Sequence, residues 1–382
     1  TAKGGSPMVH ELASRGEFSI LGAPVFGPAR VTQVVPPSFV GTVGFAALDG
    51  QSSSAIIQSA AGKPWRVVSE LPGQVVAISF SSPSDGAAIT VAHGPASPNM
   101  VEGPAMYLIW QTRNGGASWR VLARMPHQTP IAIAAGSGKR LAVATVDAPG
   151  GLGQLHLWVS RDGGVHWTEL GAADLPDNLG YNLPPFGPSD AALSVTAHGY
   201  LLAVAAIPHD LVLASRDGVR WTVVGSASND DLALTPAFDG ETVWWLNNQL
   251  IRPGSKANGK DQPPVLQPVL TASPASGNPE RTVSLPEGYD ALAMAWAGSR
   301  GMVVCASSAN MDPSQGLTLF VTTDGGATWT ARHLAPGLQP KLPGTVVSLA
   351  LAGDDFGALL TDRGLLMTRD GGWTWAYAPG EG

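Results

Sequence analysis

Ser160-Arg161-Asp162-Gly163-Gly164-Val165-His166-Trp167 is the key to this chain, because the chain repeats it. Thr322–Trp329 and Thr368–Trp375 are full copies, and Thr112–Trp119 is a fourth with Asn114 in the Asp position. Ser215–Trp221 is one residue shorter, and Ser59–Trp65 is the same short form without its carboxylate. Each copy lies between short apolar runs, such as Leu155-His156-Leu157-Trp158-Val159 before and Trp167-Thr168-Glu169-Leu170 after. Asp-Gly or Asn-Gly between such runs signals a hairpin, since glycine takes the positive φ of a tight turn at no steric cost. The Asp or Asn oxygen accepts backbone N–H groups just ahead of it, and the hydroxyl two positions earlier adds a second bond. The tryptophan supplies a large apolar body, with one N–H in need of an acceptor, where the hairpin meets its neighbour. The motif therefore reads as a turn lock. Asn114, Asp162, Asp217, Asp324 and Asp370, with Trp119, Trp167, Trp221, Trp329 and Trp375, are expected to be structural rather than catalytic.

Tryptophan spacing gives the period. Trp65 to Trp119 is 54 residues, Trp119 to Trp167 is 48, Trp167 to Trp221 is 54, and Trp329 to Trp375 is 46. Trp221 to Trp329 is 108, a double interval that must hide one further unit. Val269-Leu270-Thr271-Ala272-Ser273-Pro274 followed by Arg281-Thr282-Val283-Ser284-Leu285 fits that unit, with Thr-x-Ser in place of Ser-x-Asp. A period of about 40–55 residues with four short strands per unit denotes propeller blades. Six visible turns and one hidden unit make a seven-bladed, all-β propeller. Six blades remain the alternative if the hidden segment is an insertion. Residues 1–30 are expected to form an N-terminal extension near the ring closure, and residues 31–382 the propeller.

The pattern S/T-x-D-G-G-x-x-W resembles the Asp-box (BNR) repeat of sialidases, sortilin-type receptors, some glucanases and Ycf48-type assembly factors, and the resemblance runs over nearly the whole chain. It implies the propeller fold. It does not imply one chemistry, because these families share a scaffold and not a reaction. The sialidase branch implies an arginine triad, a Tyr–Glu nucleophile pair and an acid Asp. The Arg-Ile-Pro signature expected near the first blade is absent, Ala29-Arg30-Val31 being the nearest text.

Composition narrows the function classes. The chain has 382 residues, 47 of them Gly and 32 Pro, with 13% charged residues and a net charge of −7. Many short strands joined by many turns need that Gly and Pro content. Basic residues form no run in the sequence, which argues against nucleic acid. The eight histidines show no ligand spacing, so neither a metal nor a cofactor is expected. Cys305, inside the apolar Met302-Val303-Val304-Cys305-Ala306, reads as a buried small hydrophobe. No apolar run reaches the ~20 residues of a membrane span. Thr1-Ala2-Lys3-Gly4-Gly5 reads as a mature N-terminus without a signal peptide, and family habit implies export from a bacterium to the periplasm, the surface or the medium.

Because each motif joins the third strand of a blade to the fourth, all copies fall on one face of the disc. The loops that have grown fall on the other: His93–Ala105, Asp147–Gln154, Gly171–Asp190, Asn247–Pro264 and Ser307–Gly316. Long loops in compact domains tend to carry function. The candidate ligand-binding residues are accordingly His93, Glu102, Asp147, Asp177, Tyr181, Asn182, His209, Asp210, Asn247, Asn248, Arg252 and Asp312. Aromatic rings, amides and arginine there suit a protein or glycan ligand held without catalysis. The alternative is a glycoside hydrolase, sialidase-like or with another pair of loop carboxylates.

Overall fold

The computed structural model describes residues 34–377, except 42, 50–52, 61–62, 64, 94–104, 127, 148–153, 177–190, 196–198, 205–208, 229–233, 239–241, 253–254, 258–259, 263–264, 275–280, 309–315, 335–345, 353–354 and 362–363. The expected N-terminal extension lies outside these residues. Seven antiparallel four-stranded sheets follow one another along the chain. Blade 1 is β1 (Val34–Val40), β2 (Val43–Asp49), β3 (Ser53–Ser59) and β4 (Arg66–Pro72). Blade 2 is β5 (Gln74–Phe80), β6 (Gly86–His93), β7 (Ala105–Thr112) and β8 (Arg120–Pro126). Blade 3 is β9 (Gln128–Gly136), β10 (Arg140–Asp147), β11 (Leu155–Ser160) and β12 (Thr168–Leu170). Blade 4 is β13 (Ala191–Val195), β14 (Tyr200–Val204), β15 (His209–Ser215) and β16 (Thr222–Ser228).

Blade 5 is β17 (Leu234–Phe238), β18 (Thr242–Arg252), β21 (Val265–Pro274) and β22 (Arg281–Ser284). The short hairpin β19 (Ser255–Ala257) and β20 (Lys260–Gln262) stands between β18 and β21. Blade 6 is β23 (Tyr289–Ala297), β24 (Arg300–Ser307), β25 (Leu317–Thr322) and β26 (Thr330–His333). Blade 7 is β27 (Val346–Ala352), β28 (Phe356–Thr361), β29 (Gly364–Thr368) and β30 (Ala376–Tyr377). The hidden unit is thus a complete blade, and the ring has seven.

First strands touch first strands all the way round, β1 to β5 to β9 to β13 to β17 to β23 to β27 and back to β1, so they line the centre. In six blades the pairing of first and second strands slips, as at Val75/Ala77, Ala291/Ala293 and Val346/Ser348; blade 4 keeps an even register. Bulges add local twist and bend, which a strand crowded against a narrow centre requires. Each blade buries both faces, and the core is accordingly divided into seven inter-blade seams. The period of two along a strand sends adjacent side chains into different seams. Trp244 enters the seam between blades 5 and 6, and Trp245 the seam between blades 4 and 5.

Among the described residues, the ring closes between blades 7 and 1 by side-chain packing. Each of these blades takes all four strands from one contiguous stretch of chain. Trp65, Ile57 and Leu48 meet Phe356, Leu360 and Met367, and Phe39 packs edge-on against both Trp65 and Phe356. Cys305 is free and fully buried, and its burial raises the thiol pKa well above the usual value.

Candidate functional site

The repeated turn has the bonding its residue types dictate. Ser160 Oγ accepts the N–H of Gly164 at 2.8 Å and donates to Asp162 Oδ1 at 2.9 Å. Asp162 Oδ1 accepts the N–H groups of Val165 and His166, each at 3.0 Å. Thr322 and Asp324, Thr368 and Asp370, and the shortened Ser215 and Asp217 repeat this arrangement. In blade 2 the amide oxygen of Asn114 replaces the carboxylate, accepting Ser118 N–H at 2.9 Å. These bonds hold the carboxyls of Asp162, Asp217 and Asp324 below the usual carboxylate range, the first through His166, the second through Arg220 and the third through Thr328. Trp119 and Trp167 donate Nε1–H to the carbonyl of the second glycine, and Trp221 to that of the single glycine of the short form, Gly218. In Trp65, Trp329 and Trp375 that nitrogen is buried without a partner.

The turn also clamps its own blade. The N–H of the first glycine donates to the first hairpin turn of the same sheet, as in Gly115 to Ser84 O, Gly163 to Lys139 O, Gly325 to Ser299 O and Gly371 to Asp355 O, each 2.8 Å. Arginines then join blade to blade. Arg161 donates to Asp217 O, Arg281 to Gly325 O at 2.6 Å, and both Arg300 and Arg332 to Gly371 O at 2.9 and 3.0 Å. Arg332 also lies 3.7 Å from the ring centre of Trp373, which is 64% exposed. The turn aspartates are fastened into scaffolding, and their lone pairs are taken up by backbone donors.

The strand order gathers charges that are scattered along the sequence. Thirteen lysines and arginines lie at the turn-bearing end of the blades, including Arg113, Lys139 and Arg140. Six described carboxylates accompany them: Asp85, Asp355 and the four turn aspartates. At the opposite end the balance reverses, with Asp49, Asp147, Asp210, Asp261, Glu287 and Asp290 against Arg124, Arg252, Lys256 and Lys260. The absence of a basic run in the sequence therefore does not mean the absence of a basic face.

The sequence-derived binding residues fall partly within view. His93 ends β6 opposite Ala105, Asp147 ends β10 opposite Gln128, and His209 and Asp210 open β15 opposite Ser228 and Ala227. Asn247, Asn248 and Arg252 lie on β18. These residues occupy strands of blades 2 to 5, all but Asn247 and Asn248 at strand ends on the long-loop side. Glu102, Asp177, Tyr181, Asn182 and Asp312 lie outside the described residues. Asn248 is engaged at both ends of its amide. Its Nδ2 donates to Asp290 Oδ1 at 2.7 Å and to Ala291 O at 3.0 Å, while its Oδ1 accepts Ala291 N–H at 2.8 Å. It joins blade 5 to blade 6. Burial raises the Asp290 carboxyl above the usual carboxylate range. Asn247 Oδ1 is buried without a partner among the described residues.

Beyond Asn248 the structure departs from a simple loop. β18 and β21 stay paired from Thr242↔Pro274 to Arg252↔Val265, forming a two-stranded arm capped by the β19–β20 hairpin. Leu250 and Ile251 on this arm are 48% and 40% exposed. Among the described residues no group of His, Cys, Asp and Glu is placed to hold a metal ion, and no helix is long and apolar enough to cross a membrane.

Fold and turns together define a seven-bladed β-propeller with one basic face and a projecting arm on the other. No family model matches the chain, and no curated protein does. Solved structures do. Ycf48 bound to a D1 peptide is similar at a TM-score of 0.50 and 14% identity, over 92% of this chain and 99% of that one. The β-propeller domain of the trilobed protease from Pyrococcus furiosus is similar at 0.51 and 11%, over 88% and 92%. The polysaccharide lyase Uly1 is similar at 0.53 and 10%, over 91% and 92%. At these identities the likeness shows the fold alone.

Proposed function

We propose that this chain is an exported, non-catalytic binding propeller of the Asp-box kind, and that it holds a protein or glycan ligand against its long-loop face. The observation that carries this reading is the β18–β21 arm. A strand pair that runs past the blade and exposes adjacent Leu250 and Ile251 beside Arg252 offers apolar area and a directional donor together. Interface anchors combine these features. The engagement of the four turn aspartates by backbone donors takes them out of a glycosidase pair, which needs two free carboxyls across a cleft, and leaves that alternative to the loop carboxylates. The solved Ycf48 structure holds a D1 peptide, which makes a protein ligand the first to try.

The test is a thermal-shift and hydrolysis screen of the whole chain against peptide and glycan panels. A Leu250→Asp/Ile251→Asp variant is run in parallel. A stabilising ligand that no longer stabilises the double variant is the expected result. Turnover of any glycoside, or stabilisation indifferent to the arm, overturns the reading.

A further inference from the structure

The basic face contains a cavity of about 420 Å³ at the seam between blades 2 and 3. Blade 2 contributes Ser82 and Asp85 from its first hairpin turn, with Gln111 and Arg113 from the end of β7 and the turn after it. Blade 3 contributes Lys139 and Arg140. The volume is within the ~300–1,000 Å³ common for small-ligand sites.

The walls present donors. Gln111 is 8% exposed, and its Oε1 accepts both Nε and Nη2 of Arg120, at 3.1 and 2.6 Å. That bond pair fixes the orientation of the amide, and its Nε2 has no hydrogen-bond partner among the described residues. An amide donor left over at the cavity wall is available to an acceptor from outside the chain. Arg113 and Lys139 are exposed cations at the same cavity. The one acidic side chain present is already occupied. Asp85 accepts the hydroxyls of Ser82 and Ser84 at 2.7 and 2.6 Å, which hold its carboxyl below the usual range. Lys139 is also the one described non-glycine residue at positive φ, at 65°. That conformation costs about 1–2 kcal/mol for an L-residue with a side chain. Glycine would remove the cost, yet a lysine stands there, with its charge at the cavity.

We propose that this cavity is a carboxylate-binding site, in which Arg113 and Lys139 neutralise the charge and Gln111 Nε2 donates to one oxygen. An arginine fork pairs bidentately with the two oxygens of a carboxylate and also with a phosphate, so phosphate is the competing anion in the test. The carboxylate comes from a small organic acid or from an acidic side chain of a bound protein segment. The site is on the opposite face from the arm, so it stands or falls separately from the proposed function.

Calorimetry on the whole chain with succinate, with citrate and with a hexaglutamate peptide distinguishes the two sources. Inorganic phosphate and a single-stranded DNA dodecamer serve as controls. The expected result is carboxylate binding that weakens at least tenfold in Gln111→Glu, which keeps the acceptor for Arg120 and replaces the donor with a negative charge. Lys139→Gly keeps folding separate from binding. It should bind several-fold more weakly while melting at the same temperature or higher. Binding of the small acids alone assigns the site to a free ligand, and binding of the peptide alone assigns it to a protein segment. Preferential binding of phosphate or DNA, affinities unchanged in both variants, or no heat with any carboxylate at millimolar concentration overturns the proposal.

Discussion

The seam between blades 3 and 4 and the seam between blades 4 and 5 share a blade, yet they are built differently. Among the described residues the first buries seventeen, from Ile131 to Trp221, and Arg161 of blade 3 reaches across to the turn carbonyl of Asp217. The second buries six hydrophobic residues among those described, and the stretch joining the third and fourth strands of blade 5 has no Asp-Gly to receive an arginine. Trp245 makes up the difference. Its indole lies over Gly225 so closely that a Cβ there would be 2.5 Å from the ring. On its other side blade 5 regains a tie, since Trp244 stacks on Trp296 at 4.1 Å and Arg281 passes over Trp244 to Gly325 O. The repeated turn is therefore one way of fastening blades, and a large aromatic on a strand glycine is another.

Trp245→Ala tests this account most severely. Removing a fully buried tryptophan costs about 3–5 kcal/mol, and here it removes the indole that lies over Gly225. Urea unfolding should show a loss in that range, with hydrogen exchange accelerating first in β16 and β18. Leu202→Ala in the larger seam should cost about 2–4 kcal/mol, because Leu202 has sixteen buried companions. A loss below about 1 kcal/mol for Trp245→Ala would show that the seam between blades 4 and 5 is not held by this residue.

The next effect belongs to the turn glycines of the thicker seam. Gly218 has φ +73°, and a Cβ there would meet Val159 Cγ1 at 2.7 Å and the Tyr200 ring at 2.9 Å. Gly218→Ala therefore combines left-handed strain with overpacking, a cost of about 2–4 kcal/mol. Gly288 has φ +87° with open space around its Cβ position, so Gly288→Ala isolates the strain at about 1–2 kcal/mol. Equal losses in the two variants would mean that the turn glycine is needed for its backbone and not for the close approach of blade 3.

Much of this architecture is legible in the amino-acid sequence. The turn chemistry, the seven-fold count with its hidden member and the burial of Cys305 follow from local rules: turn residues, spacing and apolar context. What stays hidden depends on neighbours distant in sequence. Asn247–Pro264 reads as a loop, since Gln249, Leu250, Ile251 and Arg252 show no alternation, but backbone pairing with Val265–Gln267 continues the strand. Arg113, Lys139 and Arg140 look isolated along the chain, and only the common end of successive blades brings them together. Asn248 has the composition of a ligand contact, but its partners Asp290 and Ala291 lie more than forty residues further on. Sequence signals the device that repeats; the single devices must be found in the packing.

The smallest effect separates the seams by pH. Asp162 and Asp217 flank the thicker seam, and both carboxyls are held below the usual carboxylate range by hydrogen bonds from their own turns. A folded pKa below the unfolded value of about 3.9 means that the unfolded chain takes up the proton first. The stability these groups supply is fully present above about pH 4 and is lost as the pH falls through their folded values. Asn114 does the same work in blade 2 with an amide that does not titrate. An Asp162→Asn/Asp217→Asn variant should therefore resemble the parent at pH 6 and lose less of its melting temperature between pH 5 and pH 3. The hydrophobic cluster between blades 4 and 5 is on the other side of blade 4 from the Asp162 turn. Its exchange rates, corrected for intrinsic pH dependence, should not respond to the substitutions. Parallel acid losses in parent and variant would move the acid-labile groups away from the turns, and with them the electrostatic half of the difference between the two seams.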